Sequence, residues 1–176
     1  MAQRGFTLIE LMVAVTILGI LAAIAAPGFK SLAITSSITA DTNALLADLA
    51  AARSEASRTG AAVTVCASTD FATCSSTASA WTSRIVFSDT GTAGVVDGTD
   101  TIIRKSSASS TSSNTITAAN LPGSNNYLQY NSLGQINNLT YATPATFKVC
   151  RAGYATGNLV SLSVTGRANS ASTICP

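Results

Sequence analysis

The chain begins with a long apolar run that a single charge interrupts. Between Phe6 and Ala26 every side chain is apolar or small apart from two threonines and Glu10, the one charged residue of the run. A helix of about 20 apolar residues is long enough to cross a bilayer. A carboxylate in such a helix is costly and normally has a partner. Glu10 therefore predicts a contact that neutralises it.

Helical spacing continues beyond this run, with an interruption at Pro27. Proline removes a backbone hydrogen bond, and Gly28 follows it directly. Because helical patterning resumes within a few residues, Pro27 predicts a kink and not the end of the helix.

From residue 31 to residue 58 the pattern is that of an amphipathic helix. Asp41 and Asp48 are expected to lie off its apolar stripe, and Glu55 and Arg58 form a favourable pair three residues apart. The stripe itself consists of four residues at helical spacing, Leu45, Leu49, Ala52 and Ala56.

The remainder of the chain is patterned as short β-strands. The last two predict a terminal hairpin, with Val160, Leu162 and Val164 on its buried face. The serine-rich stretch 106–113 predicts a surface loop, with a neutral face that packs between subunits or carries sugar as the alternative. Together the elements predict an α+β fold, in which a long N-terminal helix packs on a β-rich antiparallel head. The predicted strands are 62–67, 84–88, 101–104, 114–118, 127–131, 146–151 and 159–164.

Composition argues against an enzyme. Charged residues are 10 % of the chain and the net charge is +2, so there is no general electrostatic preference for nucleic acid. The absence of histidine removes the commonest general base and metal ligand. Asp97 and Asp100 share a turn, where carboxylates are expected to bond their own backbone rather than calcium. We therefore expect no catalytic residues, no cofactor and no metal.

The four cysteines predict disulfides. Their even number, beside a segment that directs export, favours an oxidising compartment. Three pairings are open. We favour Cys66–Cys74, which closes a local loop, and Cys150–Cys175, which ties the C-terminus to a late strand. Four buried free thiols remain the alternative.

Two simpler interpretations of the N-terminal segment compete with an assembly signal. A secretory signal peptide would use the small residues of 23–25 as its cleavage site, and a plain membrane anchor would need only the apolar run. Glu10 disfavours both, because a charge harms insertion in the first and has no purpose in the second. Arg4, on the short leader, indicates that the N-terminus stays cytoplasmic.

The stretch GFTLIELMVAVTILGILAAIAAPGF, residues 5–29, closely resembles the signal of type IV pilins and type II secretion pseudopilins. The resemblance implies that a prepilin peptidase cuts between Gly5 and Phe6 and methylates the amine of Phe6. It assigns the family's assembly glutamate to Glu10 and its helix-breaking proline to Pro27. Small residues such as Gly19 would let neighbouring helices approach closely.

The resemblance implies four segments along the chain. Residues 1–5 are a cleaved leader, and 6–29 form the membrane or filament-core half of the helix. Residues 30–60 form the amphipathic half that packs on the head, and 61–176 form the head. The protein would wait in the bacterial inner membrane, with its N-terminus cytoplasmic, before it joins a periplasmic or extracellular filament of pilin subunits.

Further motifs resemble the GspH/FimT branch of minor pilins. They are A-R-S-E-A at 52–56, the cysteine strand 63–66 with Cys74, and a terminal Gly-Arg at 166–167. Some FimT-like members bind DNA through G-R-x-R, of which the second arginine is Asn169 here. DNA contacts would then rest on Arg167, with Lys148 and Arg151 joining it in a small patch.

The resemblance implies a structural filament subunit, a minor pilin. The alternatives are a DNA-binding minor pilin for DNA uptake and a pseudopilin of a type II secretion system.

Overall fold

A computed structural model describes residues 7–75, 81–108, 113–121, 126–137, 139 and 143–176, with the backbone alone for 25–27. The chain divides into two compact units, Met1–Ser36 and Ser37–Pro176. The helix α1 spans Leu8–Thr59.

The N-terminal unit exposes its apolar side chains. The large apolar residues from Leu8 to Leu32 that face outward are 50–78 % exposed. Apolar surface of this extent marks a contact with lipid or with protein. The described residues of this unit leave that surface uncovered.

No single helix among the described residues is both long and apolar enough to cross a membrane. Two segments on either side of residues 25–27, Leu8–Ile24 and Gly28–Thr59, qualify only together, by length and composition. The side chains of residues 25–27 lie outside the description. The kink at Pro27 therefore stays a prediction.

The described part of the second unit contains two four-stranded antiparallel sheets. The strands are β1 Val63–Ala67, β2 Ser83–Ser88, β3 Thr101–Ser107, β4 Asn114–Ala119, β5 Tyr127–Tyr130, β6 Ala145–Arg151, β7 Thr156–Leu162 and β8 Ala168–Ile174. Sheet A has the order β3-β2-β1-β5, and sheet B has the order β4-β6-β7-β8. The α+β fold, a long helix with an antiparallel β-rich head, is confirmed.

Three details differ from the sequence-based prediction. β8 was not predicted, because its residues are mostly exposed and carry no apolar alternation. β7 begins three residues earlier than predicted and ends at Leu162, since a turn closed by the Gly166 N–H and the Ser163 carbonyl follows. β3 includes Ser106 and Ser107, so the serine-rich loop is shorter than predicted. Residues 109–112 of that loop lie outside the described residues.

Sheet A is covered on both faces. Directly opposite residues of antiparallel strands share a face, and every residue of β1 is buried. Cys66, Ile85 and Phe87 form a cluster on one face. Arg84 belongs to the other face, where its guanidinium meets α1. Partly buried residues from the flanking segments pack on the cluster, namely Phe71, Cys74, Val96, Ile102 and Tyr127.

Sheet B is buried on one face, as alternation predicts. Val160 and Leu162 of β7 are fully buried, which confirms the predicted face of that strand. Phe147 on β6 is also buried, and its ring lies 4.7 Å from the Trp81 ring in an edge-to-face arrangement. Val164 lies beyond β7 and is only partly buried.

The structure contains the two favoured disulfides. Cys66 and Cys74 join with Cα atoms 5.6 Å apart, and Cys150 and Cys175 join with Cα atoms 5.9 Å apart. The second bond passes beside Gly157 of β7, where an added Cβ would lie 2.4 Å from the Cys175 sulfur. A glycine at 157 is therefore what lets this disulfide lie against the strand.

The inner face of α1 is partly as predicted. Leu45, Leu49, Ala52 and Ala56 are buried, which confirms the apolar stripe. The expectation that Asp41 and Asp48 lie off this stripe is wrong, because both are buried. The spacing of apolar residues does not reveal buried carboxylates, since their partners lie far along the chain.

Each buried carboxylate has its own partners. Asp48 Oδ2 accepts from Arg84 Nε at 2.5 Å, and its Oδ1 accepts from Ser106 Oγ at 2.8 Å. Asp48 Oδ1 also forms an ion pair with Arg104, whose Nε lies 2.6 Å away. Asp41 accepts from the Asn114 side-chain amide at 2.6 Å. Asp48 thus ties α1 to sheet A, and Asp41 ties it to sheet B.

Arg84 carries a buried positive charge in this network. Its side chain is 1 % exposed. Burial lowers the pKa of Arg84, and the charge of Asp48 opposes that shift. An arginine stays protonated across the accessible pH range, so Arg84 keeps a buried positive charge that needs Asp48.

We expect Asp48→Ala to lower the free energy of unfolding of the head by about 3–5 kcal/mol, because Arg84 would retain a buried charge without its partner. Urea unfolding of the full chain in detergent, followed by Trp81 fluorescence, measures this. Glu55→Ala is the matched control, since it breaks the exposed pair with Arg58, 2.6 Å long. Equal unfolding midpoints for the two variants would contradict the prediction.

Candidate functional site

The first turn of α1 carries the candidate assembly residue. Thr7 precedes the first helical residue, and its side-chain Oγ1 accepts from the Glu10 N–H at 3.3 Å. The Thr7 N–H donates in return to Glu10 Oε2 at 3.4 Å. This reciprocal arrangement is a capping box, which satisfies backbone donors at the start of a helix.

The cap gives Glu10 a role that sequence analysis missed. The T-x-x-E pattern of residues 7–10 was the available signal. The bonds are long and the carboxylate is exposed, so the cap uses little of its acceptor capacity. A carboxylate at a helix N-terminus is also favoured by the helix dipole. Glu10 is therefore held in place, with capacity left for a further cation.

The other residues of the processing signal are not part of this geometry. Gly5 and Phe6 lie outside the described residues, so cleavage between them stays a prediction. Gly19 is described, and an added Cβ there would meet nothing within 4 Å in the chain. Neither a turn nor packing inside the chain requires that glycine.

The structure separates the three candidate DNA contacts. Lys148 lies on β6 between buried Phe147 and Val149, so its side chain belongs to the outer face of sheet B. Arg151 ends β6, and Arg167 lies in the β7–β8 turn.

The strand register fixes the distance between the two arginines. β6 and β7 pair antiparallel with Ala145 opposite Leu162, so the turn that holds Arg167 lies at the Ala145 end of β6. Arg151 lies at the other end, six residues along, which is about 20 Å at ~3.3 Å per residue. The expected small patch of three cations is therefore not formed.

Arg167 instead faces a groove that it shares with α1. The cavity has a volume of 510 Å³. Arg53 lies on its helix side and Arg167 on its turn side. Arg53 was not singled out by sequence analysis, although the A-R-S-E-A motif contains it. The lining residues are Leu46, Leu49, Ala50, Arg53, Ser54, Ser57, Gly166, Arg167 and Ala168.

Two glycines in left-handed conformation meet at this groove, where Gly166 lines the cavity and Gly134 lies against Gly166. Gly134 has φ +71° and Gly166 has φ +74°. An added Cβ at Gly166 would lie 2.0 Å from the Gly134 carbonyl oxygen, and one at Gly134 would lie 3.0 Å from Arg53 Nε. Only glycine fits both positions at such distances. The close approach of these turns therefore places Arg53 and Arg167 beside one cavity.

Neither groove arginine has an acidic partner. All eight Asp and Glu residues of the chain lie among the described residues. The ion pairs that the described residues form use Arg58, Arg84 and Arg104. Arg53 and Arg167 form none.

The carboxylates of Asp97 and Asp100 bond within their own loop. Asp97 Oδ2 accepts from the Thr92 N–H at 3.0 Å, and Asp100 Oδ1 accepts from the Thr90 N–H at 2.9 Å. The hydrogen bond from Thr92 holds the pKa of Asp97 below its usual range. This confirms the expected backbone bonding of the turn. The described residues contain no cluster of three or more metal-ligating side chains.

Comparison with known proteins identifies the family. Over residues 41–166 the sequence matches the family described as Type II transport protein GspH. The chain belongs to the GspH family. Residues 1–26 also match the prokaryotic N-terminal methylation motif. This GspH-family chain is thus a pilin-like subunit, a minor pilin of a type IV pilus or a pseudopilin of a type II secretion system.

Solved structures share the fold. Two crystal structures of the type IV minor pilin FimU from Pseudomonas aeruginosa PAO1 are 20 % identical to the chain. One has a TM-score of 0.58 and covers 76 % of this chain and 87 % of that chain. The other has a TM-score of 0.53, with coverage of 78 % and 92 %. A search of curated proteins gives no match.

The capping box of this GspH-family chain is testable by itself. We expect Thr7→Ala to expose the Glu10 amide and to weaken the first turn by about 0.5–2 kcal/mol, because the capping oxygen is lost. Amide hydrogen exchange at Glu10, measured by NMR of the full chain in detergent micelles, reports this. Thr7→Ser keeps the oxygen and should exchange like wild type. Equal exchange in the alanine and serine variants would contradict the cap.

Proposed function

We propose that this chain is a structural subunit, a minor pilin, of a type IV pilus-like filament. It acts by assembly and not by catalysis. One observation carries the proposal: the large apolar side chains that α1 presents between Leu8 and Leu32 are exposed, and Glu10 is the only acidic residue of that stretch. Such a surface needs lipid first and protein afterwards.

Processing supplies the partner for Glu10. A prepilin peptidase of the inner membrane cuts between Gly5 and Phe6, and the new amine of Phe6 is cationic. In the apolar filament centre, Glu10 of one subunit neutralises the Phe6 amine of a neighbour. Either charge alone would be costly to bury, and the pair relieves both costs.

Helix packing supports the same assembly. Gly19 costs about 1 kcal/mol relative to alanine inside a helix, and open space surrounds it in the single chain. Close approach of another helix gives this glycine a purpose, since small residues let helix backbones meet. The kink at Pro27 then redirects the helix between core and head.

Localisation follows from this mechanism. The precursor waits in the inner membrane with its N-terminus cytoplasmic, and Arg4 favours that orientation. After cleavage the subunit joins a filament that is periplasmic or extracellular, where its disulfides persist.

We favour the minor pilin over the two alternatives for stated reasons. DNA binding through Arg167, Arg151 and Lys148 is disfavoured because the three cations lie on different parts of sheet B, whereas phosphate tracking needs clustered cations. A pseudopilin of a type II secretion system shares every physical feature used here, and the FimU fold alone favours the pilus.

Substitutions of Glu10 can distinguish the role of its charge from its role in the capping box. We expect Glu10→Gln and Glu10→Ala both to insert in the membrane and both to fail in assembly, since an unpaired buried amine costs about 3–5 kcal/mol, or ~100-fold or more in incorporation. Immunoblots of sheared filaments against membrane fractions measure this. Glutamine preserves the capping box. Normal incorporation of Glu10→Gln would show that the cap suffices and would refute charge pairing.

Processing has its own readout. Intact mass spectrometry of the filament subunit should show loss of residues 1–5, one added methyl group, and four cysteines without free thiols. The precursor from cells without the peptidase is the control and should keep residues 1–5. A filament subunit that still begins at Met1, or one cut near Ala26 and released, would overturn the proposed function.

A further inference from the structure

We propose that the groove between α1 and the β7–β8 turn binds an acidic, partly apolar peptide segment of a neighbouring filament subunit, with Arg53 and Arg167 holding its carboxylate. This inference rests on the proposed function and names one contact that the head makes in the filament.

Charge is the first argument. The head satisfies its own carboxylates elsewhere, through Arg58, Arg84, Arg104, neutral polar side chains and loop backbone. Arg53 and Arg167 remain without an acidic partner, on two walls of one cavity. Guanidinium groups favour planar carboxylates or phosphates. The groove therefore offers two cations to a single anionic group from outside the chain.

Close contacts between the surrounding turns also fix the shape of the cavity. Arg53 lies against the Gly134 turn, whose carbonyl abuts Gly166. Ser54 and Ser57 add hydroxyls that can donate to an anion. A volume of 510 Å³ falls within the range of sites that take a small molecule or a few side chains.

The lining favours peptide over nucleic acid. Leu46, Leu49 and Ala50 give the groove an apolar side. Leu133, next to Gly134 in the chain, is 75 % exposed. A phosphodiester backbone has no use for apolar walls, and its affinity needs more than two cations. A segment with a carboxylate beside an apolar side chain matches both halves of the surface.

Photo-crosslinking in assembled filaments tests this with the full chain. Ala50 is exposed in the groove, so p-benzoylphenylalanine placed there should crosslink to a neighbour. We expect mass spectrometry to identify a segment of another subunit with Asp or Glu within a few residues of an apolar side chain. Crosslinks to DNA, to a segment without an acid, or to nothing would overturn the inference.

Reversing the charge of Arg167 tests the inference quantitatively. We expect Arg167→Glu to reduce the crosslink at least about tenfold, since like charges at a contact are strongly disfavoured. Lys105→Glu is the matched control, because it reverses an exposed cation on β3, far along sheet A from the groove, and should change nothing. Reversing the identified carboxylate to arginine should restore the crosslink of Arg167→Glu. Failure of that rescue would overturn the inference.

Two further variants separate the competing explanations. Ala50→Phe fills the groove without a change of charge and should lower incorporation if a segment docks there; normal incorporation would contradict docking.

Gel shifts of duplex DNA by the full chain compare Arg167→Glu with Lys148→Glu. Equal losses would mean scattered phosphate contacts and would overturn the peptide assignment. Absence of the wild-type chain from filaments would instead refute the proposed function itself.

Discussion

The buried carboxylate of Asp48 is the interaction on which the architecture of the head depends. It lies on α1 with no exposure and binds Arg84, Arg104 and Ser106 of sheet A. Removing Asp48 would leave the charge of Arg84 buried without compensation. The network therefore fixes which turn of the helix meets which strands, a specificity that the apolar stripe alone, with its near-equivalent turns, does not supply.

The same helix has two kinds of surroundings. Its inward-facing residues Leu45, Leu49, Ala52 and Ala56 are buried by the head, whereas the large apolar residues from Leu8 to Ile24 are exposed in the single chain. A helix that is apolar on all sides cannot be satisfied by one domain, and it needs lipid or other helices. The chain thus carries a folded head and an unsatisfied apolar surface in one element, which is the physical requirement for a subunit that first resides in a membrane and later polymerises.

Much of this was predictable from sequence, for physical reasons. The apolar stripe, the buried face of β7, the Glu55–Arg58 pair and the backbone bonding of Asp97 depend on local spacing, and the structure has all of them. Residues far apart in the chain account for the errors. The burial of Asp48 was not predicted, because its partner Arg84 lies 36 residues away along the chain. β8 was not predicted, because an exposed edge strand needs no alternation of apolar residues. The groove could not be predicted, because Arg53 and Arg167 are far apart in the sequence. They line one cavity only where the Gly134 and Gly166 turns meet.

The distribution of charge links the fold to the partner. The net charge of +2 is small, and its magnitude says little about binding. The positions of the charges are more informative. The acidic side chains of the head bond internal arginines, amides and loop backbone, so the surface charges without an opposite partner are cations. Two of these lie beside apolar residues in one cavity, while Lys148 and Arg151 stand apart on sheet B. A neighbour that presents a carboxylate with an apolar side chain would complete the head, as the Phe6 amine of a neighbour would complete Glu10. Both proposed contacts follow one rule of charge compensation, in which a charge without an ion-pair partner in one subunit would be neutralised by the next.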